Sequence, residues 1–151
     1  MSVAILQNFI VTKPERLETL KETFPPFSQY FKNNNFYINY NTDINFDEIY
    51  SIYKNNIPEE NLNFYNNLTK DWGKIVQSML NDIDENYIFI VPEDFKIVTE
   101  DSSHFNNLLN EFIEYECDYM LMHRIEDVKN YGNNPKYLSL YDSKEYLHTV
   151  N

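Results

Sequence analysis

The sequence predicts an α/β domain with a mostly parallel central sheet flanked by helices. Two observations carry this: strand-like apolar runs alternate with segments of helical periodicity, and Tyr87-Ile88-Phe89-Ile90-Val91 sets five apolar or aromatic residues in a row, as a central strand covered on both faces requires. A third is composition. With 151 residues, 42% of them hydrophobic and including 13 Tyr and 11 Phe, the chain can bury a core of one-domain size, and residues 1–151 read as a single domain.

Taken in order, Val3 to Val11 is an apolar run broken only by Gln7 and Asn8, which suits a buried strand. Thr12-Lys13-Pro14 then supplies a cap and a proline at a helix start, and Leu17, Leu20 and Phe24 continue at helical spacing until Pro25-Pro26, where the helix should stop. Asn35 to Tyr40 reads as a second strand. Phe46, Ile49, Tyr50 and Tyr53 form the stripe of a second helix, with Pro58 as a breaker and Leu62 to Tyr65 as a short strand. The next helix has the strongest pattern, because Trp72, Ile75, Val76, Met79, Leu80 and Ile83 fall on one face, which makes Trp72 a core residue. After the Tyr87 to Val91 strand, Ser102 and Ser103 can cap a helix carrying Phe105, Leu108, Leu109, Phe112 and Ile113. Tyr119 to Met122 reads as a further strand, and Tyr137 to Tyr141 as a last strand or hairpin arm.

Charge and residue usage exclude several function classes. A formal charge of −12 gives a polyanion a repulsive long-range field, which argues against a nucleic-acid polymer as partner. Only 2 glycines occur, at Gly73 and Gly132, so the Gly-rich phosphate loops of the Walker and dinucleotide fingerprints are absent. Cys117 is the single cysteine and stands among acids that disfavour a thiolate; no histidine or cysteine spacing matches a zinc site. His123 is more at home as a hydrogen-bonded structural residue than as a ligand. The Asn-rich runs at 33–35 and 66–67 read as compositional bias. With no basic leader and no apolar run of membrane-spanning length, a cytoplasmic location is expected.

In a parallel sheet with helical crossovers, ligands bind beyond the carboxyl ends of the strands. That rule selects Thr12 to Arg16, Asn41 to Asp43 and Pro92 to Phe95 as loops along one edge. The last carries Glu93 and Asp94 at the end of an apolar strand, where a divalent cation would offset the cost of buried charge; a solvated turn is the competing reading.

Asp71-Trp72-Gly73-Lys74, followed by Asp84 through Pro92-Glu93-Asp94, is similar to the segment of family-2-like GT-A glycosyltransferases that ends in their metal-binding Asp-x-Asp motif. Ile10-Val11-Thr12-Lys13-Pro14-Glu15-Arg16-Leu17 resembles the opening strand and loop of the same enzymes. The resemblance spans about the first two-thirds of the chain. It implies a Rossmann-like three-layer sandwich that takes a nucleotide-diphosphate sugar, with Thr12 and Arg16 near the nucleotide, Asp43 near its base or ribose, and Asp71 and Lys74 beside the donor. Glu93 and Asp94 would then hold Mn²⁺ or Mg²⁺. The sugar would pass to a glycan or other hydroxyl acceptor, with Glu126 or Asp127 as the base, unless those two acids only begin a helix.

The sequence departs from that family twice. Pro92 stands where the motif has its first aspartate, and only 57 residues follow Asp94, so the acceptor region is minimal, or a second copy or partner chain supplies it. Both departures keep a non-catalytic binding or assembly module open beside the enzyme. A nucleotidyltransferase ranks lower, because Thr12 to Arg16 has no glycine.

Overall fold

The computed structural model describes residues 2–9, 14–40, 46–67, 71–92 and 103–115. The chain divides into two compact units, Met1–Val98 and Thr99–Asn151. The first is an α/β sandwich: strands β1 (Val3–Phe9), β2 (Phe36–Tyr40), β3 (Leu62–Tyr65) and β4 (Tyr87–Ile90) alternate with helices α1 (Pro14–Phe31), α2 (Phe46–Lys54) and α3 (Trp72–Leu80). Among the described residues all the strand pairings are parallel, in the order β3-β2-β1-β4.

That order follows from right-handed crossovers. Two successive crossovers step the same way, from β1 to β2 to β3, and place α1 and α2 on one face. The third returns past β1 to β4 and places α3 on the other. The packing agrees. Phe24 and Phe27 of α1 meet Phe36 with ring centroids 5.8 and 6.4 Å apart, while Tyr53 of α2 lies 4.3 Å from Phe24 and donates its hydroxyl to Gln7 Oε1 at 3.0 Å. On the opposite face Ile75, Val76 and Met79 of α3 bury against Ala4, Leu6 and Tyr37. Residues of β1 thus alternate between the two layers, as the period-2 pleat demands.

Helix α1 runs straight through the prolines that the sequence marks as its end. Each proline removes one backbone donor and crowds the carbonyl four residues back. The helix persists because its apolar stripe continues past them: Phe24, Phe27 and Phe31 are all buried, and Phe27 and Phe31 reach Phe89 of β4 at 6.4 and 5.7 Å. Ser28 donates its hydroxyl to the Pro25 carbonyl at 2.8 Å. Tertiary packing therefore outweighs local propensity here.

Two further expectations change. Among the described residues β4 is an edge strand of the sheet and not its centre. Its Tyr87 and Phe89 face α1, but Ile88 and Ile90 on the α3 side are 38% and 50% exposed, because α3 buries its stripe over β1 and β2. Trp72 is not a core residue: at the first position of α3, ahead of the buried Ile75, it is 49% exposed.

In the second unit, α4 (His104–Glu114) forms as its periodicity predicts and buries Leu108 and Leu109. The expected strands at Tyr119 to Met122 and Tyr137 to Tyr141 lie outside the described residues. No helix among the described residues is long and apolar enough to cross a membrane.

Candidate functional site

Strand order fixes where a ligand crevice belongs. The crossovers leaving β1 and returning to β4 go to opposite faces, so the switch point lies between these two strands, beyond their carboxyl ends. The pair is held in register there: Leu6 stands opposite Ile90, and Val91 donates its N–H to the Leu6 carbonyl at 2.9 Å. Val91 is buried and Pro92, next in the chain, is exposed. Residues 10–13 and 93–94 thus follow two neighbouring strands in the sequence. They fall in or beside two of the three loops that the sequence singles out, about 80 residues apart; the third, Asn41 to Asp43, lies outside the described residues.

Of the site residues expected from sequence, the structure describes three. Arg16 is exposed in the first turn of α1, whose N-terminus follows β1 on the carboxyl side of the sheet. Asp71 and Lys74 come together at the start of α3: Asp71 is the N-cap, its Oδ1 accepts the Lys74 N–H at 3.3 Å, and Lys74 Nζ lies 3.7 Å from its Oδ2. Capping accounts for Asp71 by itself, since a side-chain oxygen satisfies an N–H that the first turn leaves without an intrahelical partner. Thr12, Asp43, Glu93, Asp94, Glu126 and Asp127 lie outside the described residues, as do Cys117 and His123. Among the described residues no group of three or more His, Cys, Asp or Glu is placed to hold a metal ion. A Mg²⁺ site needs only one or two protein carboxylates, so Glu93 and Asp94 keep the right donor chemistry for one.

The carboxyl edge also carries a feature the sequence reading passed over. Asn8 and Asn39 stand opposite each other on β1 and β2, on the α3 face, and Asn39 Nδ2 donates to Asn8 Oδ1 at 2.9 Å. Asn39 is fully buried, and its Oδ1 accepts the backbone N–H of Asn67, just beyond β3, at 2.9 Å. Asn67 Nδ2 in turn reaches Ser78 Oγ of α3 at 3.5 Å. A carboxamide chain thus crosses three strand ends. Asparagine richness hid it, although an asparagine one position before the end of each of two mainly apolar strands is a readable signal.

At the opposite edge the polar groups serve the fold. Glu85, just before β4, accepts from Asn35 Nδ2 at 2.7 Å and from the Tyr37 hydroxyl at 3.1 Å. Burial, reinforced by the Glu85 carboxylate and by Asp84 and Asp82, pushes the Tyr37 hydroxyl up to about 12. Tyr65 is raised as well, by burial and by its 2.8 Å hydrogen bond to Asp82. Both phenols stay protonated throughout the ordinary pH range and act as fixed donors.

Comparison of the chain with protein-family models, with curated proteins and with solved structures gave no match.

Proposed function

We propose that this protein binds a nucleotide-diphosphate sugar across the carboxyl ends of β1 and β4 and transfers its sugar to an acceptor hydroxyl. The observation that carries the reading is the parallel pairing of β1 with β4 at the topological switch point: the two separate segments with a glycosyltransferase-like pattern, Thr12 to Arg16 and Pro92 to Asp94, follow these two neighbouring strands in the sequence. Arg16 and Lys74 stand at helix starts on that same side, where they would add positive charge near a diphosphate in an otherwise acidic protein. Asp94, helped by Glu93, would hold Mn²⁺ or Mg²⁺. The ion's contribution is to stabilise negative charge on the departing nucleoside diphosphate. The acceptor oxygen forms its bond to the anomeric carbon as the bond to the diphosphate breaks, and Glu126 or Asp127 takes the hydroxyl proton. A cytoplasmic location belongs to this reading and draws on the single cysteine, which leaves no intrachain disulfide to form.

Pro92 in place of a first acid favours a second reading, in which the scaffold binds the nucleotide without turning it over. Thermal-shift titration with nucleoside diphosphates and nucleotide sugars, with and without Mn²⁺, separates the two. At a hundredfold excess over Kd the proposal expects about 2.7 kcal/mol of stabilisation. That stabilisation should fall on Asp94→Ala. Absence of any shift, with every nucleotide and with or without metal, would sink both readings; a shift without sugar release or transfer supports the binding module.

A further inference from the structure

The chain of amides at the carboxyl edge has a fixed polarity. A carboxamide can turn over and exchange its donor and acceptor ends, but a backbone N–H cannot. The Asn67 N–H therefore obliges Asn39 to present its oxygen, at 2.9 Å. Asn39 must then present its NH₂ to Asn8, and Asn8 answers with its oxygen, also at 2.9 Å. What remains of Asn8 is its own NH₂, which has no hydrogen-bond partner among the described residues. A half-buried, oriented, donor-only amide thus sits one residue before the end of β1, beside the β1–β4 switch point.

This arrangement says what kind of atom it suits. The amides and the hydroxyl in the network, Asn8, Asn39, Asn67 and Ser78, are uncharged, whereas phosphoryl oxygens are held by cations or converging backbone N–H groups. A lone neutral donor suits a carbonyl oxygen. We propose that Asn8 reads a carbonyl oxygen on the base of the bound nucleotide, uracil O4 or guanine O6, with Asn39 as the positioning residue that fixes the direction of its amide. The inference rests on the reading that a nucleotide binds at this edge. Cytosine and adenine carry an amino group at the corresponding place, which would set donor against donor.

The test is the base preference, measured at pH 8 by calorimetry with UDP, CDP, GDP and ADP. The native chain should bind UDP over CDP, and GDP over ADP, by roughly tenfold, the worth of one hydrogen bond made against one donor left unpaired. Asn8→Asp keeps the oxygen that Asn39 needs but replaces the outward donor by an acceptor, so the UDP/CDP ratio should fall below one even if all affinities weaken. Asn39→Asp still accepts from Asn67, and its second oxygen now demands the Asn8 NH₂. Asn8 then turns its own oxygen outward, and the preference inverts with Asn8 itself unchanged. A merely structural role would weaken every nucleotide alike and leave the ratios where they were. Equal binding of the four nucleotides by the native chain, or unchanged ratios in Asn8→Asp, overturns the inference while leaving nucleotide binding intact. Failure of all four to bind removes the functional reading and the inference together. If Asn39→Asp does not fold, the native chain and Asn8→Asp still decide.

Discussion

Replacing Pro25 or Pro26 of α1 by alanine should stabilise the protein, although both prolines sit in a helix that carries a large share of the core. Within the 18 residues of Pro14–Phe31 the two prolines occupy interior positions, so the carbonyls of Lys21 and Glu22 can receive no N–H from four residues ahead. An interior proline costs about 3 kcal/mol relative to alanine. Against this stand about 0.4 to 1 kcal/mol from the stiffer unfolded chain and the loss of a half-buried ring, which leaves about 1 to 2 kcal/mol of net stabilisation for each substitution. For a chain of this size that is a rise in Tm of roughly 2 to 8 °C, read by circular dichroism melts and checked by urea titration. Were the helix to end at Phe24, as the proline pair alone would dictate, alanine would restore no hydrogen bond. An unchanged or lowered Tm in both variants would refute the reasoning.

Three other outcomes follow from the same structure. Tyr53→Phe leaves the carboxamide oxygen of buried Gln7 without its 3.0 Å donor and should cost about 1 to 3 kcal/mol, whereas Tyr53→Phe with Gln7→Leu should recover most of that in a double-mutant cycle. Tyr37 titrates near 12 when folded and near 10 when unfolded, so its contribution is complete below pH 10 and fades as pH climbs from 10 to 12. The loss is on the order of 2 kcal/mol. Melts between pH 8 and pH 12 should show that decline, and Tyr37→Phe should make it shallower; a parallel curve would contradict the assignment. Asp71→Ala should cost about 0.5 to 1 kcal/mol through the lost cap at α3, and Asp71→Ser should restore it. If Asp71→Ser melts like the native chain yet loses nucleotide affinity, Asp71 contacts the ligand as well as capping.

Much of the fold was legible in the sequence because each strand and helix announces itself by period. Ile49 and Tyr53 of α2 and Ile75, Val76 and Met79 of α3 are buried as their spacing predicts, whereas Leu80, expected on the same stripe, is exposed at the end of α3; β1 to β4 match their apolar runs to within two residues. What misled was local. Pro25-Pro26 reads as a stop only if Phe27 and Phe31, which extend the same stripe, are ignored. The five apolar residues of Tyr87 to Val91 read as a central strand, yet among the described residues β4 lies at the sheet's edge, and only neighbours in space decide that Phe89 is packed and Ile90 is not. Strand order is likewise invisible to periodicity and enters only through crossover handedness.

For the candidate site the sequence offers a location and no geometry. The rule that ligands lie beyond strand carboxyl ends needs no side chains, so it could single out Thr12 to Arg16, Asn41 to Asp43 and Pro92 to Phe95 from the order of elements alone. It could not see that Asp71 is a helix cap, because capping and ligand binding ask for the same residue types at the same place. Nor could it see the Asn8–Asn39 pair, which exists only because parallel register sets the two amides opposite each other.

Hydrogen–deuterium exchange on the native chain, with and without a saturating nucleotide sugar and Mn²⁺, tests the central claim most directly. Binding across β1 and β4 should slow exchange in peptides covering residues 8–16 and 90–94. Peptides at the opposite edge, covering Asn34 to Phe36 and Asp82 to Asn86, should exchange as before. Protection confined to that opposite edge, or no protection anywhere with any nucleotide sugar, would contradict the account.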